Sequence, residues 1–444
     1  MFDFALPFLN NVVAVLAPLI GVIILGWITF KLWVHYIRQD FISGITWSML
    51  EIIPPRDVLR SPRAMELFLS NALYHWSEKG GLETYWQGAV WFWHSLEIAS
   101  IDGQVHFYVR TPSRIRDLVE TQIYAQYPQA QVKDAEDYTL AVDEISKTSA
   151  WNLWGCEFKL TKPEVFSIKT YLDFGLDKDP KEEFKVDPIS GIIEFFASLK
   201  KGEQAWMQIV VRPAKKEYHT HGSHFWDSHK KKYHDWVEEG KTQIIKTLDP
   251  YTGSRSRAPE DTRGPGYGLE VRSPGFMDEM IKAAGKKMTK IGFDTGIRVC
   301  YVAKKEIYPL GTRTNNSRNI RLIFRQYANP FSNELFRHNS TQADYYGGWY
   351  LISGNTVKIL ANRHLKAFRE REFFYLPLRH HLFSTHVIFW PFSIFLHAYK
   401  HPETFILNVE ELATLWHFPG QILKVPTLER IESKEASPPP NLPM

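Results

Sequence analysis

The stretch VVAVLAPLIGVIILGWITF, residues 12–30, decides how the rest of the chain is read. It carries no ionisable side chain. At ~1.5 Å rise per residue such a helix spans about 28 Å, close to the hydrocarbon thickness of a bilayer. A soluble core helix of that length shows a polar stripe, and this one shows none. A cleaved signal peptide is the competing reading. Against it, no Lys or Arg precedes the apolar run and no small-residue cleavage site follows. Trp27, Lys31, Trp33, Tyr36 and Arg38 form an aromatic belt with basic residues at its C-terminal end, and Arg56, Arg60 and Arg63 continue the bias. By the positive-inside rule, a single-pass anchor is expected within residues 1–40, in the inner (cytoplasmic) membrane, with the C-terminal bulk in the cytoplasm.

Composition narrows the remainder. The chain has 444 residues, enough for two to four domains at the usual size of roughly 100–200 residues each. A hydrophobic fraction of 44% with 14% aromatics excludes general disorder. A net charge of +4 is too small for a dedicated nucleic-acid coat, though it leaves room for a local basic groove. Cys156 and Cys300 sit among apolar and aromatic neighbours and read as two buried free thiols, which fits a reducing compartment.

Periodicity places the elements. After a mixed apolar connector over 41–55 that ends in a Pro-Pro stop, Ser61-Pro62 opens a helix whose Met65, Phe68, Leu69, Ala72, Leu73 and Trp76 share a face. The bulky run YWQGAVWFWHSLEIASI, 85–101, reads as a strand, turned at Gly103 into a second strand over 104–110. A helix after Thr111-Pro112 and a strand at 130–132 follow. The pattern recurs: strand at 151–161, helix capped by Asp187-Pro188, strand at 205–212, then a helix after Ser273-Pro274, a strand at 296–303 and a helix around 318–331. The tails FYVRTP, IVVRPA and CYVAKK are weakly alike. The expected class is α+β: one transmembrane helix followed by two or three mixed α/β sheet units, with a duplicated, ferredoxin-like plan as one option. The expected divisions are 41–150, 151–249, a linker at 250–268, a unit at 269–404, and a capped helix with a Pro-rich tail at 405–444. Asn408 is its N-cap and Glu411 the capping-box partner.

Chemical motifs are sparse. Gly240-Lys241-Thr242 lacks the glycine five residues upstream that a phosphate loop needs, and acidic, helix-like residues precede it. His219, His221 and His224 form a metal-ligand candidate of low specificity, with no HExxH pattern and with Lys230, Lys231 and Lys232 close by. Those lysines, with Lys215 and Lys216 and interleaved aromatics, are a candidate nucleic-acid contact against the alternative of a solvated helix face. No catalytic residue and no cofactor is assigned.

EQAWMQIVVRP (203–213), GIRVCYVA (296–303), FILNVEELATLWHFP (405–419) and VPTLERIESKEASPPPNLP (425–443) occur in that order. Together they resemble the membrane-anchored N-terminal region of bacterial type IV secretion and conjugation proteins, which in fused relatives leads into a DNA-translocating ATPase of the coupling-protein class. This chain has no Walker lysine. The resemblance implies a non-enzymatic subunit that docks a separate ring ATPase, with Glu410, Glu411, Leu415, Trp416, Pro438, Pro439 and Pro440 as the contact and an oligomer as an option. The alternatives are a membrane-bound, His-dependent metal hydrolase acting on nucleic acid or lipid, and a lipid- or peptide-binding module.

Overall fold

A computed structural model describes residues 5–55, 60–74, 80–177, 187–214, 236–252, 275–308, 316, 319–341, 354–375 and 404–420. They fall into two compact units.

The first unit holds the apolar stretch. Helix α1, Ala5–Ser43, runs through the whole of it in 39 residues. Residues 80–92 belong to the same unit.

The second unit is organised on one antiparallel sheet. Its elements are β1 (Trp47–Ile53), α2 (Arg63–Phe68, prolonged by a wider π-type turn over Leu69–Leu73), β2 (His94–Ile101), β3 (Gln104–Pro112), α4 (Arg116–Gln126) and β4 (Gln131–Asp134). The five-residue helix α3, Gly81–Tyr85, lies in the first unit. Next come β5 (Trp151–Leu160), α5 (Pro188–Ala197), β6 (Glu203–Pro213), α6 (Trp236–Thr252), α7 (Gly275–Met288), β7 (Gly292–Lys304), β8 (Leu335–Ser340), α8 (Gly354–Glu370), β9 (Phe405–Asn408) and α9 (Val409–Leu415).

The strand order is β4-β1-β3-β2-β6-β7-β5-β8, with β9 added beside β7. The first half reads β-α-β-β-α-β with order 4-1-3-2, which is the ferredoxin-like plan. In the second half, β5 to β8 taken in chain order have the same 4-1-3-2 arrangement. Two such units therefore meet through their second strands, β2 and β6, from His94↔Val211 to Ile101↔Gln204. The expected sheet units share one continuous sheet. FYVRTP and CYVAKK fall on equivalent third strands, β3 and β7, whereas IVVRPA ends β6, a second strand.

Local sequence explains the elements that matter. Asp187 accepts the Ile189 N–H at 3.1 Å and Pro188 occupies the first turn, so α5 starts there. Its Ile189, Ile192, Ile193 and Phe196 recur at helical spacing and are fully buried. β6 and β7 lie mid-sheet with both faces covered, so they are buried along almost their whole length, polar residues included. Along the strands, alternate residues divide two cores. Leu96, Phe107, Met207 and Val299 pack with α2, α4, α5 and α9. Tyr108, Trp206, Cys300 and Val302 pack with Ala361, Leu365 and Phe368 of α8. Cys156 and Cys300 belong to different cores, on opposite faces of the sheet, and both are free thiols.

Two expected elements differ. Only residues 94–101 of the 85–101 run form a strand, because residues 81–85 coil into α3 and Gly88 turns the chain with φ +68. Within the expected helix around 318–331, the described residues 320–327 form two single 3-10 turns, Ile320–Leu322 and Arg325–Tyr327. Of the expected linker, 250–252 continue α6 and 253–268 lie outside the described residues.

Candidate functional site

α1 is the one helix among the described residues that is long and apolar enough to cross a membrane. Over residues 16–33 its side chains face outward: Val22 is 71% exposed and Leu25 64%. The first cation after this run, Lys31, places its ammonium 5.6 Å from the Trp27 ring. Residues 80–88 pack on the helix one turn further along. The Trp33 indole N–H donates to the Tyr85 carbonyl at 3.3 Å, Phe30 lies 5.9 Å from Tyr85, and Trp33 lies 5.9 Å from Trp86. A Cβ on Gly88 would fall 2.2 Å from the Ile37 carbonyl oxygen, so only glycine allows this approach. A groove lined by Val22, Leu25, Gly26, Phe30, Trp33 and Trp86 runs beside the contact.

In the sheet unit, polar side chains form a row across the strands beneath α8. Directly paired positions are Lys133–Glu51–Tyr108–Glu97–Gln208–Arg298–Glu157, one residue from each of β4, β1, β3, β2, β6, β7 and β5. Paired residues share a face, so strand register alone assembles this row. At its centre Glu97 accepts bonds from Ser95 Oγ at 2.5 Å, Tyr138 OH at 2.7 Å, Gln208 Nε2 at 3.0 Å and Arg371 Nε at 2.9 Å. Arg298 Nη2 meets Glu157 at 3.0 Å, and Phe373 covers its guanidinium at 4.0 Å.

The end of α8 supplies the other half of this network. Arg298 Nη1 donates to the Ala367 carbonyl and Gln208 to the Phe368 carbonyl, satisfying acceptors that the helix terminus leaves open. The backbone closes with Arg371 N–H on the Phe368 carbonyl and Glu372 N–H on the Ala367 carbonyl, a Schellman closure. Arg371 takes the left-handed position usual for glycine, with φ 53. That turn directs its guanidinium back to Glu97 and Asp137. Burial pushes the Asp137 carboxyl up, but Arg371 and the bonds from Thr139 outweigh it and hold it below its ordinary value. Burial lowers His364 to about 4, so this ring, lying over Gly155, stays neutral.

A second network surrounds α9. The Asn408 side chain accepts the Glu411 N–H at 2.9 Å and Glu411 Oε2 accepts the Asn408 N–H at 2.9 Å, the capping box expected from the sequence. Glu411 also accepts the Ile168 N–H at 3.0 Å and pairs with Lys287 at 2.9 Å. Burial raises its carboxyl, against the pull of Lys287. Glu410 accepts from Thr170 Oγ1 at 2.6 Å and pairs with Lys290 at 2.7 Å, and Lys290 also reaches Glu66. Leu415 and Trp416 are fully buried, and the indole N–H of Trp416 donates to the Glu97 carbonyl at 3.3 Å. Glu410, Glu411, Leu415 and Trp416 therefore form the interior and present no surface to a partner in this fold. The sequence shows an amphipathic, capped helix; that loops from distant segments cover its polar side is a tertiary fact.

Gly240-Lys241-Thr242 lies inside α6, where a Cβ on Gly240 would meet Val165 at 3.0 Å. His219, His221, His224, Lys215, Lys216, Lys230, Lys231, Lys232, Pro438, Pro439 and Pro440 lie outside the described residues. Among the described residues, no group of three His, Cys, Asp or Glu side chains is placed to hold a metal ion. The residues that sequence reasoning missed are Glu97, Asp137, Arg298 and Arg371. The one signal for them was a charge in the middle of an otherwise apolar strand, as in LEI around Glu97 and IRVCYV around Arg298.

Fold and geometry define a doubled ferredoxin-like sheet in a chain that also carries a membrane-length helix. The chain belongs to the family described as Domain of unknown function (DUF8128), whose model matches residues 45–428. No curated protein matches the sequence.

Proposed function

We propose that this protein is a non-enzymatic, single-pass subunit of the inner membrane whose sheet unit stands in the cytoplasm and docks a separate DNA- or protein-translocating ring ATPase, as in type IV secretion-like systems. The observation that carries the anchoring is α1, apolar over a bilayer's length before its first cation and outward-facing from Leu16 onward to Trp33. The family match begins at residue 45, just past the end of α1, which supports reading the helix as a tether for a separately defined body. The ATPase partner rests on the resemblance in segments 203–213, 296–303 and 405–419. These build β6, β7, β9 and α9 of the sheet unit.

Because α9 is interior, the docking contact is assigned to the Pro-rich segment that follows it. The test is co-purification from detergent extracts of the full chain and of a chain ending at Gly420. A cut at residue 404 would instead remove β9 and α9 from the core. A ring ATPase, identified by mass spectrometry and by nucleotide hydrolysis, is expected with the full chain only. Its recovery with both forms refutes the assigned contact, and its absence from both refutes the docking role.

A further inference from the structure

We infer that residues 80–88 are a second membrane-contacting element, a foot that lies in the headgroup region beside α1 and takes the lipid surface as its partner. The inference rests on reading α1 as a membrane span.

Depth along α1 supplies the first argument. The uncharged run ends at Phe30 and the first cation is Lys31, so this level marks the boundary between hydrocarbon and headgroups. The foot is attached at that level, through Phe30 to Tyr85, Trp33 to Tyr85 and Trp86, and Ile37 to Gly88. It is not a loose loop. Trp86 N–H donates to the Leu82 carbonyl at 2.9 Å and Ala89 N–H to the Glu83 carbonyl at 2.9 Å.

The second argument is chemical. The large side chains that the foot turns outward are apolar or amphipathic: Leu82 is 76% exposed, Trp86 69% and Tyr85 51%, with Glu83 and Gln87 exposed between and beside them. Trp and Tyr settle at membrane interfaces because one edge is apolar and the other forms hydrogen bonds. The one charge in the foot's helix, Glu83, stays solvent-accessible as a headgroup-level position allows, and its Oε2 accepts the Gly80 N–H at 3.2 Å. Trp33 and Tyr36 on α1 extend the same exposed aromatic surface, and Lys31 adds a cation suited to anionic headgroups. A water-facing role would leave a leucine and four aromatic rings uncovered on one surface.

The test uses the full chain in vesicles of phosphatidylethanolamine and phosphatidylglycerol, with a nitroxide at one introduced thiol. Cys156 and Cys300 are buried in the folded protein and do not compete for the label. The sites are Val22→Cys in α1, Leu82→Cys in the foot and Lys201→Cys in an exposed turn of the sheet unit. Accessibility to oxygen relative to a water-soluble nickel chelate reads depth. The expected order is Val22 deepest, Leu82 intermediate and Lys201 aqueous. A Leu82 site as aqueous as Lys201, with Val22 still deep, overturns the foot and leaves the anchor intact. A Leu82 site shielded from both reagents also overturns it, since a protein surface such as a second copy then covers the foot. Aqueous values at both Leu82 and Val22 overturn the anchor itself.

Discussion

Arg371 and Glu97, 274 residues apart in sequence, bond through Arg371 Nε at 2.9 Å with neither side chain exposed. Arg371 holds the pairing from left-handed backbone, a conformation that costs a non-glycine residue roughly 1–2 kcal/mol. Arg371→Met keeps that strain and leaves the Glu97 and Asp137 carboxylates without their cation. Breaking a buried pair from one side costs about 3–5 kcal/mol. A loss of that size is expected in denaturant unfolding of the full chain in detergent. Arg371→Lys should fall between, since it restores charge without the planar fork. A Met variant as stable as the parent would show that the pair is not needed.

His364 gives a pH signature. Burial holds its folded value near 4, below the ordinary 6.5, so folding favours the neutral ring. The stabilisation is complete above the ordinary value and is lost as pH falls from about 6.5 to about 4, at ~1.4 kcal/mol per unit or roughly 3 kcal/mol in all. Asp137 and Asp187 are both held below the ordinary carboxylate value of 3.8 and lose their contribution only in more acid solution. Unfolding free energy measured against pH should therefore slope within the histidine window in the parent and flatten there in His364→Gln.

Gly155 lies under the His364 ring, where a Cβ would approach to 2.3 Å, and Gly296 lies under Phe373 with the same separation. Overpacking of this kind costs ~1–3 kcal/mol. Gly155→Ala is expected to lower the melting temperature. In Gly155→Ala with His364→Ala the two losses should be less than additive, because the second change removes the clash made by the first. Strict additivity would place the cause elsewhere.

Around α9, Asn408→Ala removes one capping bond and should cost about 1 kcal/mol. Lys287→Met leaves Glu411 buried without its ammonium and should cost more, about 3–5 kcal/mol at neutral pH. Because burial already raises the Glu411 carboxyl, this variant should regain stability as the pH falls and that carboxyl takes up a proton. Parallel pH–stability curves for parent and variant would rule out Glu411 as the cause.

Sequence reading reached the elements whose signals are local. The Asp187-Pro188 start, the β5, β6 and β7 strands and the Asn408–Glu411 box each rest on a few adjacent residues. It failed at 85–93, where aromatic alternation imitates a strand but the chain instead folds onto α1 through Gly88. It did not find the polar row or the place of α9, because each is assembled by register and packing between distant segments. β5, β6 and β7 were legible one by one, but their grouping was not: the second repeat runs from Trp151 to Ser340, across the expected linker at 250–268, and the pairing of β2 with β6 is set by strand edges that any exposed strand is competent to use.

That pairing deprives each half of independence. Glu97 and Gln208 belong to different repeats, yet each completes the other's hydrogen bonding across the seam. Severed from its sibling, either repeat would present an open strand edge and a stranded polar centre. The doubled body should consequently melt in a single cooperative step, with no half-folded survivor, although its topology reads as two modules.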